Sequence, residues 1–248
     1  MGLTIHYSLT SSTRSPKKAR ESIARLRGRA LDLPFAKVEE IVELTGEECD
    51  FQRLDQDDPH RWLLIQACQY IDRSAPGGRQ HSYHVAPTHL IAFETLPGEG
   101  CESANLGLCR YPAEIKVTDS DWPYRERRIR TRLPGWSWQS FCKTQYASNA
   151  ECGGVENFLR CHLAVIRVLD QAKSLGILEE VSDEGDFWQN RDVRALAEEV
   201  GQWNEMIAAF AGGLKDLLDV QTEDLAIKAP ITEFPDFAHL ETAGRGKE

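Results

Sequence analysis

Trp136-Ser-Trp-Gln-Ser-Phe-Cys-Lys-Thr-Gln-Tyr146 is followed, after Gly153-Gly154, by Val155-Glu-Asn-Phe-Leu-Arg-Cys-His-Leu-Ala-Val-Ile-Arg-Val-Leu169, and between them the period of the chain changes. In the first stretch Trp136, Trp138, Cys142 and Tyr146 share one face at period two, the signature of a strand with one side buried. In the second, Val155, Phe158, Leu159, His162, Ile166 and Leu169 recur at helical spacing, and Gly176 supplies the stop. Strand period before this point and helix period after it predict an α+β fold.

Outward from that junction the pattern continues on both sides. Towards the N-terminus, Trp62 to Ile71 is a dense apolar run read as a buried strand. Val85 to Thr95 is a second strand, and Ala104 to Tyr111 pairs back with it after the Leu96-Pro-Gly-Glu-Gly100 turn. Glu114 to Val117 and Arg127 to Tyr146, with a corner at Pro134-Gly135, extend a central, mostly antiparallel sheet. The first 45 residues predict a β-α-β unit. Leu3, Ile5 and Tyr7 alternate along a strand; Ser15-Pro16 opens a helix with Ala19, Ile23, Leu26 and Ala30 inward; Pro34 closes it; residues 37–44 form the next strand. Towards the C-terminus, Val193, Leu196, Val200, Trp203, Ile207, Phe210, Leu214 and Leu217 make one long helical stripe, with Gly212-Gly213 marking a bend or a close approach. The simplest organisation is a single α+β domain over 1–248. Its sheet-rich part is 1–150, its helical part 151–220 and its tail 221–248, with Phe234-Pro-Asp-Phe237 able to dock on the body.

Composition bounds the function. At 248 residues with 41% hydrophobic and 27% charged residues, the chain can bury a full core. Its net charge of −10 argues against nucleic acid as a partner. The start lacks the basic region and apolar run of a signal peptide, and no stretch approaches the ~20 apolar residues of a membrane span, so a soluble, cytoplasmic protein without a membrane partner is expected. Seven cysteines, an odd number without any Cys-x-x-Cys, read as free thiols. There is no P-loop, no dinucleotide fingerprint and no His-Glu-x-x-His. Gly135-Trp-Ser-Trp-Gln139 begins like a nucleophile elbow but ends in Gln where close strand–helix approach needs Gly.

Two constellations carry chemistry. The row Arg128, Arg130 and Arg132 projects to one strand face, with Ile129 on the other and Trp122, Tyr124, Trp136 and Trp138 around it. Guanidinium groups in a row grip carboxylates and phosphates. Lys143, leading to Cys152 at a glycine-bearing helix start, adds an anion-binding layout. These five residues point to a binding protein for a small anionic molecule or a protein partner. The alternative is a metal-assisted hydrolase. His81, His84 and His89 fall within nine residues, followed by Glu94, and imidazoles with a carboxylate are a common ligand set for a divalent metal such as Zn or Fe. In a strand over 85–95, however, His89 and Glu94 face opposite sides. Cys142, Cys152, Cys161 and His162 offer a thiol–imidazole group, although Cys and His more often serve as satisfied core residues.

Overall fold

The computed structural model describes residues 3–53, 55–74, 80–118, 126–133, 135–219 and 230–246. The first strand, β1 (Thr4–Ser11), buries Ile5, Tyr7 and Leu9 and exposes His6, as its alternation predicts. Helix α1 (Pro16–Leu31) starts where Ser15 accepts from the Lys18 amide, with Pro16 in the first turn. It buries Ala19, Ile23, Leu26 and Ala30. The short strands β2 (Lys37–Val38) and β3 (Val42–Thr45) follow.

The run from Trp62 to Ile71 departs from the strand reading. It is helix α2 (Arg61–Ala67) followed by β4 (Gln69–Ser74). Leu63, Leu64 and Ala67 are buried while Trp62 is exposed, a three-to-four spacing that packs one side of a helix. A short apolar run does not distinguish helix from buried strand by composition, and here tertiary packing chose the helix. Next come β5 (Gln80–Val85), β6 (His89–Phe93), β7 (Thr95–Leu96), β8 (Leu106–Arg110), β9 (Glu114–Thr118), β10 (Glu126–Arg130) and β11 (Trp136–Lys143). After β11 the chain forms α3 (Gly154–Ser174), β12 (Leu178–Asp183), α4 (Phe187–Asn190), α5 (Val193–Asp219) and α6 (Phe237–Arg245). Tyr146 lies in a 3-10 turn, Gln145–Ser148, beyond the strand that was expected to carry it.

The principal sheet has the order β12-β1-β11-β8-β6-β3, and every pairing in it is antiparallel. The fold is therefore α+β, with antiparallel strands centrally and helices C-terminally. The expected β-α-β unit is only partly simple. β1 and β3 belong to one sheet and point the same way, but β11, β8 and β6 lie between them. Helix α1 crosses this interval and packs on β6 and β8. β6 and β8 approach closely where Ala92 opposes Gly107: a Cβ at Gly107 would stand 2.5 Å from that of Ala92. Two hairpins, β4–β5 and β9–β10, form separate two-stranded ribbons that bury Ile71, Val85 and Ile129 in the same core.

Helix α5 continues through Gly212-Gly213. Gly212 faces Glu241 and Arg245 of α6, and Gly244 of α6 lies against Glu205 and Ala209 of α5, so the two helices meet at glycines. This is the close-approach alternative for Gly212. Ile231 and Phe234 are buried against Ala208 and Ala211, forming a small second cluster beside the main core.

A buried polar chain joins α3, β12 and α4. His162, fully buried, has Nδ1 2.9 Å from Thr144 Oγ1 and Nε2 3.3 Å from Asp183 Oδ2. The Asp183 carboxylate also accepts from the amides of Gly185 (3.0 Å) and Trp188 (2.8 Å). Burial alone would raise the Asp183 pKa, but the bond and charge of His162 and the two amides outweigh it and hold the carboxyl below its ordinary value. A group depressed in the folded state adds stability above its unfolded pKa of about 3.9, and that stability is lost as pH falls through the lower folded value. Denaturant unfolding midpoints should therefore drop below about pH 4, and drop less in Asp183→Asn. At neutral pH that variant should lose about 3 kcal/mol, the scale for breaking a buried charged network.

Candidate functional site

The sheet is incomplete at its centre. β1 pairs with β11 along eight residues, from Thr4↔Lys143 to Ser11↔Trp136, but β8 pairs with β11 only at Trp136↔Arg110 and Ser137↔Cys109. Beyond Ser137 the two strands diverge, and residues 101–105 fill the gap. Glu102 donates its amide to the Lys143 carbonyl (3.0 Å), and the Asn105 carbonyl accepts from Tyr7 Oη (2.8 Å) and Trp138 Nε1 (2.9 Å). Asn105 Nδ2 donates to Gln66 Oε1 (2.8 Å), and Gln66 Nε2 donates to Ser140 Oγ (2.7 Å). One glutamine of α2 thus ties the helix to β11 and to the filling segment. Asn105 Oδ1 is buried there and finds no hydrogen-bond partner among the described residues.

Over this region lies a cleft of about 1130 Å³. One wall is the polar face of β12, β1 and β11. Register places His6 opposite both Phe141 and Ser182, and Ser8 opposite both Gln139 and Glu180, so these side chains share a face. The other wall is α2 and β4, contributing Trp62, Ile65, Gln66, Cys68, Gln69 and Tyr70. Cys101, Glu102 and Ser103 close one end. Three large aromatics stand exposed on these walls: Trp62 at 76%, Tyr70 at 64% and Phe141 at 46%, the last with its ring 5.9 Å from that of His6. Carboxylates come from Glu102 and Glu180, and among the described residues neither Lys nor Arg lines the cleft. Burial pushes the Cys68 thiol up to about 11 and raises the Tyr7 phenol far above its ordinary value, so both stay protonated near neutral pH.

The five residues expected to bind an anion are not brought together. Arg128 and Arg130 are exposed on β10 while Ile129 and Thr131 are buried, which is the predicted alternation. Arg130 lies 3.6 Å from Glu114, and Arg132 follows the strand with a left-handed φ of +59°. Arg73 of β4 donates to the Arg130 carbonyl (2.9 Å), fixing the ribbon to its neighbour. Lys143 is at the far end of β11, about 24 Å along the strand from Trp136. Its Nζ sits 4.5 Å from the Tyr146 ring centre. Cys152 ends the 3-10 turn Ala150–Cys152, and burial together with Glu99 and Glu151 raises its thiol, the reverse of activation. Trp122 and Tyr124 lie outside the described residues.

The four expected metal ligands also separate. His81 and His84 are three residues apart on β5, which puts them on opposite faces. His81 stacks on Tyr83, and His84 sits edge-on to Phe51 and Tyr70. His89 Nε2 bonds Glu43 Oε1 at 2.9 Å, edge-on to Trp136. Glu94 lies past β6, its carboxyl raised by burial and by Glu39, with His60 and Lys37 as its positive neighbours. Among the described residues no group of three His, Cys, Asp or Glu gathers where it could hold a metal ion. Also among them, no helix is long and apolar enough to cross a membrane.

The sequence did carry one trace of the cleft: Thr4, His6, Ser8 and Thr10, and likewise Ser137 and Gln139, alternate as a polar face. Its second wall was hidden in the run read as a strand. Comparison with protein-family models, with curated proteins and with solved structures finds no match to this chain. The hydrogen-bonded filling of the gap is testable apart from any ligand. Tyr7→Phe should cost about 1 kcal/mol, at the low end for a buried bond, because Trp138 still satisfies the Asn105 carbonyl; urea denaturation measures it.

Proposed function

We propose that this chain is a binding protein whose ligand lies in the cleft between α2–β4 and the polar face of β12-β1-β11, and that the ligand is an uncharged or cationic organic molecule with a flat apolar face. The observation that carries this reading is the exposure of Trp62, Tyr70 and Phe141 on the walls of one cleft. Aromatic side chains left in water around a concavity mark contact surfaces, since covering them returns apolar area from solvent. Their faces suit the C–H face of a sugar ring or an organic cation. The amides of Gln66, Gln69 and Gln139 and the serine hydroxyls offer donors and acceptors to a polar edge. Among the described residues no Lys or Arg side chain lines the cleft beside these two carboxylates, which disfavours an anion.

Isothermal calorimetry against neutral oligosaccharides, quaternary ammonium compounds and lysine-containing peptides tests the proposal. At least one should bind, and Trp62→Ala or Phe141→Ala should weaken it tenfold or more while the far-ultraviolet circular dichroism is kept, a loss typical of an aromatic anchor. Silence across the panel, or binding indifferent to both substitutions, would sink the reading.

A second reading concerns the β9–β10 ribbon. Arg128 stands directly opposite Lys116 on this ribbon, and guanidinium and ammonium groups side by side attract phosphate. On this reading inorganic phosphate or tripolyphosphate raises the wild-type melting temperature, and the Arg128→Ala, Arg130→Ala double variant loses that response. Equal shifts in both proteins would exclude the ribbon.

A further inference from the structure

The side of β11 that β8 leaves is open along its backbone. The Thr144 amide donates to the Leu3 carbonyl (3.1 Å), and the Glu184 amide donates to the Thr4 carbonyl (3.1 Å), so Leu3 faces β11 and Thr4 faces β12. Bonded pairs alternate along an antiparallel ladder, so Ile5↔Cys142, Tyr7↔Ser140 and Leu9↔Trp138 carry the bonds between β1 and β11. The amides and carbonyls of Ser137, Gln139, Phe141 and Lys143 therefore point away from β1. Ser137 meets Cys109 of β8. At the other end Glu102 takes both groups of Lys143: its amide donates to the carbonyl (3.0 Å), and its Oε2 accepts from the amide (3.2 Å). Between these two points, among the described residues, no hydrogen bond reaches the backbone of Gln139 or Phe141 on that side. Gln139 to Phe141 line the cleft from one side of the gap, and Cys101 to Ser103 and Asn105 line it from the other, so the cleft opens onto the unpaired stretch.

We propose that the ligand of the cleft is an extended peptide segment carrying lysine or arginine, which adds to β11 at Gln139–Phe141 as a short strand in the place that β8 vacates. The proposal rests on the cleft being the ligand site, and it names the class of ligand. An unpaired strand edge presents donors and acceptors at a spacing that another extended backbone repeats. Main-chain bonds of this kind supply affinity, and pockets for alternate side chains supply choice. Because α2 and β4 wall the cleft, the gap admits a single segment of chain rather than the sheet edge of a folded partner. Register then orients the side chains. Residues of the segment that bond Gln139 and Phe141 stand opposite them and project on the same face, the face of His6 and Ser8. There the exposed aromatics can cover the aliphatic stem of a lysine or arginine, and Glu102 and Glu180 favour its charged head. The cleft's volume of about 1130 Å³ also exceeds the roughly 300–1,000 Å³ usual for small-molecule sites.

The probe is the acetylated, amidated peptide Val-Lys-Val-Lys-Val-Lys, titrated calorimetrically into the full chain. It should bind, and its counterpart with glutamate in place of lysine should not. Methylating the lysine backbone nitrogens removes the donors that would face β11, and should weaken binding about tenfold or more, the scale of a few lost hydrogen bonds. Amide exchange followed by NMR then locates the peptide. The Gln139 and Phe141 amides should slow at least tenfold on saturation, and that of Ser140, already bonded to β1, should slow less. All chemical changes are made in the peptide, so the folding of a variant does not enter. Failure of the peptide to bind, equal binding of the methylated peptide, or unmoved exchange at Gln139 and Phe141 would each overturn the proposal. If an oligosaccharide or a quaternary ammonium compound binds through Trp62 and Phe141 while the peptide does not, the cleft remains a ligand site and strand addition alone is lost. Silence from every probe removes both.

Discussion

Eight residues of β1 lie opposite eight of β11, and this one ladder sets both sides of the molecule. Because register places Ile5, Tyr7 and Leu9 beside Cys142, Ser140 and Trp138, it commits those side chains to the interior. It commits His6 and Ser8, with Phe141 and Gln139, to the opposite face. A slip of one residue would exchange the two sets and bury the polar one, which is why strand register is strongly specified wherever one face is a core. β12 inherits the same division from β1, so the wall of the cleft spans three strands whose polar faces agree.

The cleft exists because the ladder is not continued. β8 follows β11 for two residue pairs and then departs; the Lys143 backbone takes its partners from Glu102, and Gln66 bonds the side chains of Ser140 and Asn105. Buried polar groups need such partners, and a non-repetitive segment can supply them at angles that a strand does not. The same departure lets α2 sit beside the gap and carry Trp62 and Ile65 along it. The turn that leads into the gap is held on α3 by Asn157 and Arg160, so that helix also fixes the end wall of the cleft. Charge on the two exposed surfaces is divided: carboxylates in the cleft, arginines on the β9–β10 ribbon.

His162 and the cysteines show how much the surroundings decide about a reactive side chain. On its helix His162 is simply one position of an apolar stripe, yet it forms the middle of a chain from Thr144 to Asp183 that fastens β12 to the start of α4. Cys152, the thiol nearest a helix start, is raised by burial and two glutamates. Cys161, in the middle of the same helix, is lowered by a neighbour 60 residues away in the chain.

Local period and punctuation in the sequence by themselves determined β1, α1, β8, β9, β11, α3 and α5, because each has a clear buried side and an identifiable end: Ser15-Pro16 for α1, Gly153-Gly154 and Gly176 for α3. The exposed alternation of Arg128 and Arg130 about Ile129 was legible for the same reason. Tertiary structure decided the rest. It made a helix of Arg61–Ala67, whose apolar residues suit either state, and it spread β1 and β3 four places apart in one sheet. It sent His81 and His84 to opposite faces of β5, paired His89 with Glu43, and left Lys143 remote from the arginines. The cleft joins residues 6, 66, 105, 141 and 180, and no local pattern records such a meeting, because a site of this kind is made where a ladder stops and distant segments complete it.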